Sequence, residues 1–142
     1  MDGKIVVAAS GYFDPLHVGH IEYLKLAKDE GDELVVIVNN DYQTGLKKGK
    51  SFMPAKERKR ILEELRCVDR VVESIDYDRS VCKTIEMLKP DIFAKGGDRN
   101  AGNIPEREIC ERYGIKIISG LGEKIQSSSS LIKGSKEIAY GS

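Results

Sequence analysis

The chain has only two histidines, His17 and His20, standing three residues apart with Gly19 between them. They follow an apolar run, Ile5-Val6-Val7-Ala8-Ala9, and open a stretch in which Ile21, Leu24, Leu26 and Ala27 fall at helical spacing. At i and i+3 on an opening helical turn, two imidazoles face the same side. Beside the free N–H groups and partial positive charge of a helix N-terminus, they make a site for a phosphate. Gly19 lets a phosphate or a base approach the backbone closely. Zinc is the weaker chemistry for this pair, because the chain has no third histidine and no Cys-x-x-Cys pair. On the pair alone, a plain surface turn is an equal reading.

Other residues suited to anions occur later. Lys47, Lys48 and Lys50 fall in a polar stretch, and Arg58 follows in Pro54-Ala55-Lys56-Glu57-Arg58. Lys95-Gly96-Gly97-Asp98-Arg99 ends an apolar run, and Ser127 to Ser130 form a serine patch. Each also has an ordinary reading. These are a solvated basic loop, a surface arginine, a turn, and an N-cap or flexible linker, respectively.

The elements that must position these residues follow from the apolar pattern. Strands are expected at 5–9, 34–38, 68–72, 91–95 and 115–118, each a short, largely apolar run. Helices are expected at about 19–30, 54–65, 81–88, 105–113 and 129–137, with Gly31 and Gly114 as C-terminal stops. The segment holding Lys47 to Lys50 reads as a polar loop. Alternating strands and helices predict an α/β protein, a single doubly wound (Rossmann-like) domain over residues 1–142 with a five-stranded parallel sheet. Ligands of such sheets bind beyond the carboxyl ends of the strands. The unusual loops follow the first, second, fourth and fifth strands.

Gly11-Tyr12-Phe13-Asp14-Pro15-Leu16-His17-Val18-Gly19-His20 closely resembles the signature of the His-x-Gly-His nucleotidyltransferase superfamily, which includes cytidylyltransferases and several adenylyltransferases. Arg66-Cys67-Val68-Asp69-Arg70-Val71 resembles a segment of glycerol-3-phosphate cytidylyltransferase-like proteins. Lys95 to Asp98 looks more like the heptose-1-phosphate adenylyltransferases, and Ser127 to Ile132 is similar to the family's Ser-Thr-Thr-x-Ile element. The likeness runs from Ile5 to Ile132.

This resemblance implies transfer of a nucleoside monophosphate from a nucleoside triphosphate to a phosphate-bearing alcohol, polyol or sugar, with release of pyrophosphate. It implies that His17 and His20 stabilise charge on the phosphates and that Lys47 or Lys50 neutralises phosphate charge. Arg58 would hold the acceptor phosphate. Gly11, Tyr12, Phe13, Asp14, Gly19, Gly96, Gly97 and Asp98 would line the nucleotide site, and Ser128, Ser129 and Ser130 would grip the triphosphate. Mg²⁺ is expected between the phosphates, with Asp14 an indirect partner. The Arg66 segment tilts the reading to CTP and a small polyol or alcohol phosphate, with heptose 1-phosphate or FMN adenylylation as alternatives. A homodimer is expected, since relatives commonly pair.

Composition narrows the rest. Lys plus Arg equals Asp plus Glu, so the formal charge is zero and general nucleic-acid binding is not expected. The N-terminal apolar run is too short for a signal peptide or membrane span, so no membrane partner and a cytoplasmic location are expected. Three widely spaced cysteines suit buried side chains rather than a disulfide framework, and Asp69 suits a turn tied to the third strand. Two rival classes remain: a nucleotide sensor without catalysis, which needs neither histidine, and a scaffold, which needs none of these loops.

Overall fold

A computed structural model describes residues 3–96 and 104–121 of the chain. Five strands, β1 (Val6–Gly11), β2 (Glu33–Val38), β3 (Arg70–Glu73), β4 (Ile92–Gly96) and β5 (Lys116–Leu121), form one sheet in the order β3-β2-β1-β4-β5. Every pairing is parallel. The helices among the described residues are α1 (Val18–Lys28), α2 (Asp41–Lys48), α3 (Ala55–Glu63), α4 (Cys82–Leu88) and α5 (Arg107–Tyr113). The expected doubly wound α/β sheet is therefore present. The expected helix at 129–137 lies outside the described residues.

Alternation along β1 divides the core. Val7 and Ala9 pack with Tyr23, Leu24 and Ala27 of α1 and Leu62 of α3. Ala8 packs on the other face with Ile85 of α4 and Ile109 and Cys110 of α5. Successive strand side chains point to opposite faces, and both faces here carry helices. That explains why the central strands read as unbroken apolar runs. Asp69 behaves as expected: its carboxylate accepts from the Leu34 amide at 2.8 Å and pairs with Lys28, tying the turn before β3 to β2 and α1.

Two local expectations are corrected. Gly31 does not cap α1, which ends at Lys28 with Asp29 as its C-cap. Gly31 instead lies tight against β1, where an added Cβ would stand 2.8 Å from the Ile5 carbonyl oxygen. The segment expected as a loop after β2 is largely the helix α2. Its inward side chains are polar, so no apolar period betrays it. Asn40 accepts from the Gln43 amide at 2.9 Å, and Gln43 accepts back from the Asn40 amide at 3.1 Å. The fully buried Gln43 then donates to the carbonyls of Asp78 and Ser80.

Arg58 is the largest fully buried side chain among the described residues, although it lies on α3 in a highly charged stretch. All five of its N–H groups are spent. Nε donates to the Met53 carbonyl at 2.9 Å, and Nη1 to the carbonyls of Tyr12 and Asn39, both at 2.8 Å. Nη2 donates to Asp41 Oδ1 at 2.8 Å and to the Thr44 hydroxyl at 3.3 Å. Tyr12 follows the end of β1 and Asn39 follows the end of β2. The guanidinium, expected to hold an acceptor phosphate, braces the strand ends from beneath in this structure, with its five N–H groups engaged within the chain.

Lysine cannot reproduce this fork, because its compact ammonium reaches fewer acceptors. Arg58→Lys should lower the unfolding free energy by about 3 kcal/mol, the order expected when several buried acceptors lose their donors. Chemical denaturation checks this, and a loss below about 0.5 kcal/mol, typical of a surface change, would contradict the brace.

Candidate active site

β1 ends at Gly11, and the chain turns through residues 12–17 before entering α1. Phe13 takes a left-handed backbone with φ of 52° yet is buried. Such a conformation is costly for an aromatic residue and persists only where its surroundings impose it. Three contacts impose it here. The Tyr12 carbonyl is held by Arg58. The Asp14 carboxylate accepts from the amides of Phe52 and Met53, each at 2.7 Å. The Phe13 ring folds back over Gly11, where an added Cβ would stand 2.8 Å from ring Cζ.

The histidines occupy an unusual place. His17 is the N-cap of α1, and its Nδ1 accepts from the Gly19 amide at 3.1 Å. His20 Nδ1 accepts from the His17 amide, also at 3.1 Å. This is a reciprocal cap built from two imidazoles rather than from the usual Ser or Thr with Glu. An Nδ1 that accepts from a backbone N–H carries no proton, so the neutral rings carry theirs on Nε2. The rings stack with centroids 3.8 Å apart and planes 25° apart. His17 is exposed, while His20 is half-buried with the Phe13 ring edge-on at 5.0 Å. Burial, then the neighbouring His17 and Lys47, pull the His20 pKa down to about 4.

Lys47 and Lys48 lie in the last turn of α2 rather than in a loop, and Lys50 follows on an exposed turn. The two helical lysines differ in use. Lys48 donates to the Asp14 carbonyl at 2.9 Å and pairs with its carboxylate at 3.1 Å. Lys47 lies 4.5 Å from the centroid of the Tyr12 ring and close enough to His20 to depress its pKa. Its ammonium is thus carried to the histidines on an aromatic face.

Asp14 sits in the same network, and burial alone would raise its pKa. The amides of Phe52 and Met53 and the Lys48 ammonium outweigh burial and hold it below the usual carboxylate range. With both oxygens engaged, Asp14 ties the loop after β1 to residues 52–53. Among the described residues, no group of three His, Cys, Asp or Glu side chains is placed to hold a metal ion.

The glycines, expected to admit a ligand, first admit rings of this chain. An added Cβ on Gly19 would stand 3.0 Å from His17 Cε1, and one on Gly96 would stand 2.7 Å from Tyr23 Cδ1. The structure therefore gathers Tyr12, His17, His20 and Lys47 beyond β1, with Asp14 and Arg58 supporting them from behind. Gly97, Asp98, Ser128, Ser129 and Ser130 lie outside the described residues. Asp41 and Gln43, which anchor α2, were not singled out in the sequence. The Asn40-x-x-Gln43 spacing, that of a capping box, marks Gln43, whereas Asp41 is tied in by Ala55 and Arg58 from further along the chain. The assembled group presents imidazole Nε2–H donors, a helix N-terminus and an ammonium, a constellation suited to anionic oxygens.

The His20 shift has a measurable consequence. Its folded pKa of about 4 lies below the roughly 6.5 of an unfolded histidine, so the unfolded chain binds the extra proton between those values. The stabilising contribution is complete above about pH 6.5 and is lost as pH falls toward 4. His20→Gln keeps an acceptor for the His17 amide and removes the titrating ring. Denaturant midpoints should therefore fall between pH 6.5 and 4 more steeply in the wild type than in the variant. Equal slopes would contradict a neutral, capping His20.

Comparison with known proteins fits this arrangement. Residues 8–134 match the family described as Cytidylyltransferase-like. The bifunctional protein HldE of Citrifermentans bemidjiense is 43% identical over 81% of this chain. This chain spans only 24% of that relative's length. The FAD synthase of Pyrococcus abyssi is 40% identical over 80% of this chain and 77% of the relative. The crystal structure of a lipopolysaccharide core biosynthesis protein from Thermoplasma volcanium superposes with a TM-score of 0.70 at 34% identity, covering 82% of this chain and 96% of that one. With the family match running from within β1 through the capped histidine pair and on past β5, the chain belongs to the cytidylyltransferase-like family.

Proposed function

We propose that the chain is a nucleotidyltransferase that moves AMP from ATP to a phosphate-bearing acceptor and releases pyrophosphate. The observation that carries this reading is the tautomer-locked histidine pair at the N-terminus of α1, in a chain of the cytidylyltransferase-like family. The preference for ATP draws on the Pyrococcus abyssi FAD synthase, whose product contains an adenylyl group and most of whose length this chain spans. CTP is the second reading, favoured by the family description and by the Arg66 to Val71 segment. Phosphorylated sugars, phosphorylated polyols and FMN are the acceptor types to test.

In this mechanism an acceptor phosphate oxygen attacks the α-phosphorus in line. A new P–O bond forms as the bond to pyrophosphate breaks. Catalysis is then mostly positioning and charge stabilisation. Nε2–H of His17 and of His20 donates to phosphate oxygens as negative charge moves toward the leaving group. A His20 with a pKa of about 4 stays neutral at pH 7 and serves as a hydrogen-bond donor rather than a cation. Lys47 or Lys50 supplies positive charge, Gly96, Gly97 and Asp98 border the nucleotide, and Ser128, Ser129 and Ser130 hold the triphosphate end. Mg²⁺ would enter with the nucleotide and neutralise phosphate charge, with Asp14 its expected indirect partner. A homodimer without nucleic-acid or membrane partners completes the proposal.

The test is pyrophosphate release by purified protein with Mg²⁺, using ATP and CTP separately against phosphorylated sugars, polyols and FMN. Release should require one nucleotide and one acceptor. His17→Ala and His20→Ala should each lower kcat by ~100-fold or more, the order seen for losing an oxyanion donor. Nucleotide binding without turnover would favour the sensor, and near-normal turnover in both variants would remove the histidines from the mechanism.

A further inference from the structure

The parallel ladder between β1 and β4 is shorter than its neighbour. β1 pairs with β2 from Val6 through Gly11, but with β4 only from Val7 to Ala9, the last pair being Ala9 with Ala94. Ser10 and Gly11 continue along β2, while β4 continues along β5 through a register shift between Ala94 and Gly96. The two central strands therefore part beyond Ala9 and Ala94. This is also where the winding reverses, since β1 leads outward to β2 and β4 leads outward to β5.

One side chain fills the root of that opening. Tyr23 of α1 is buried, and its hydroxyl donates to the Ala94 carbonyl at 2.7 Å and accepts from the Ser10 amide at 3.2 Å. A phenol oxygen thus stands where a direct rung between strands would run. Its partners, including the Ser10 carbonyl at 3.4 Å, are all backbone groups of the two strands that separate. The ring lies against Gly96, where an added Cβ would meet Cδ1 at 2.7 Å. Burial pushes the phenol pKa well up, so the donated proton stays in place.

We infer that Tyr23 is a positioning residue that props β1 and β4 apart and sets the width of the crevice admitting the nucleotide. This rests on the proposed nucleotide chemistry and on the general rule that α/β sheets bind ligands where the winding reverses. The wedge is built from an α1 side chain three residues beyond His20, so one helix carries both the phosphate donors and the spacer. Without the hydroxyl, the Ser10 amide and Ala94 carbonyl lose their shared partner. The strands then move together or take up water, and either change alters the crevice.

Direct binding with Tyr23→Phe and Gly96→Ala tests this without relying on turnover. Phenylalanine keeps the ring and removes the hydroxyl's bonds, whereas alanine at 96 presses on the ring from the other side. Calorimetry with Mg-ATP and Mg-CTP should show the better-bound nucleotide weakened about 10-fold in each variant, the order of one lost hydrogen bond. The KM for the acceptor should stay within about 2-fold, and amide exchange at Ser10 should quicken in Tyr23→Phe. Should that variant fail to fold, Gly96→Ala carries the same reading only if amide exchange at Ser10 quickens along with the loss of affinity, since Gly96 itself borders the nucleotide. Unchanged nucleotide affinity in the folded variants, or equal losses for nucleotide and acceptor, would overturn the wedge alone. A wild-type protein that binds neither nucleotide would overturn the proposed function and the wedge with it.

Discussion

A guanidinium with no solvent around it sets the terms for everything at this end of the sheet. Arg58 reaches from α3 to the first carbonyls beyond β1 and β2, and from there to Asp41 and Thr44 on α2. Those carbonyls belong to chain segments leaving the ladder, where a buried polar group would otherwise lack a partner. A buried cation is costly unless hydrogen bonds surround it. Here five bonds do so, and the carboxylates of Asp41 and Asp14 lie 2.8 Å and 4.0 Å away. The left-handed turn at Phe13 and the seat of α2 both depend on this arrangement.

The histidine pair illustrates how backbone geometry can set side-chain chemistry. Two amides of the first helical turn each donate to an Nδ1, and that alone determines which nitrogen faces outward with a proton. Phe13 and the stacked partner ring then hold the plane of His20. The site needs no separate support for its tautomers, because the cap of the helix supplies it. Lys47 arrives from α2 across the Tyr12 ring, so positive charge reaches the same place by an independent element.

Much of this was readable from the residues. The strands stood out because Val7 to Ala9 and Leu34 to Val38 are buried on both faces, and such strands leave unbroken apolar runs. His17 and His20 stood out by scarcity and spacing. What escaped was polar and interior. α2 presents Gln43 and Thr44 inward while Tyr42 and Leu46 face solvent, the reverse of the usual helical pattern. Arg58 looked like one more charge on a charged helix, because burial of an arginine is decided by distant carbonyls that no local pattern reveals. The glycines are visible in the sequence, but the rings that occupy the space beside them are not. Nothing near Gly96 in sequence points to a ring at position 23.

The reciprocal cap carries an implication for how this segment can change over time. Histidine is a mediocre way to start a helix, and Ser, Thr, Asp or Asn would satisfy the Gly19 amide more effectively. Each of those replacements would also delete an outward Nε2–H. The first turn of α1 therefore sits below the firmness available to it, a concession of the kind expected where activity and stability compete for one position. A helix start chosen for firmness alone would not use two imidazoles, so the cap trades stability for two outward donors.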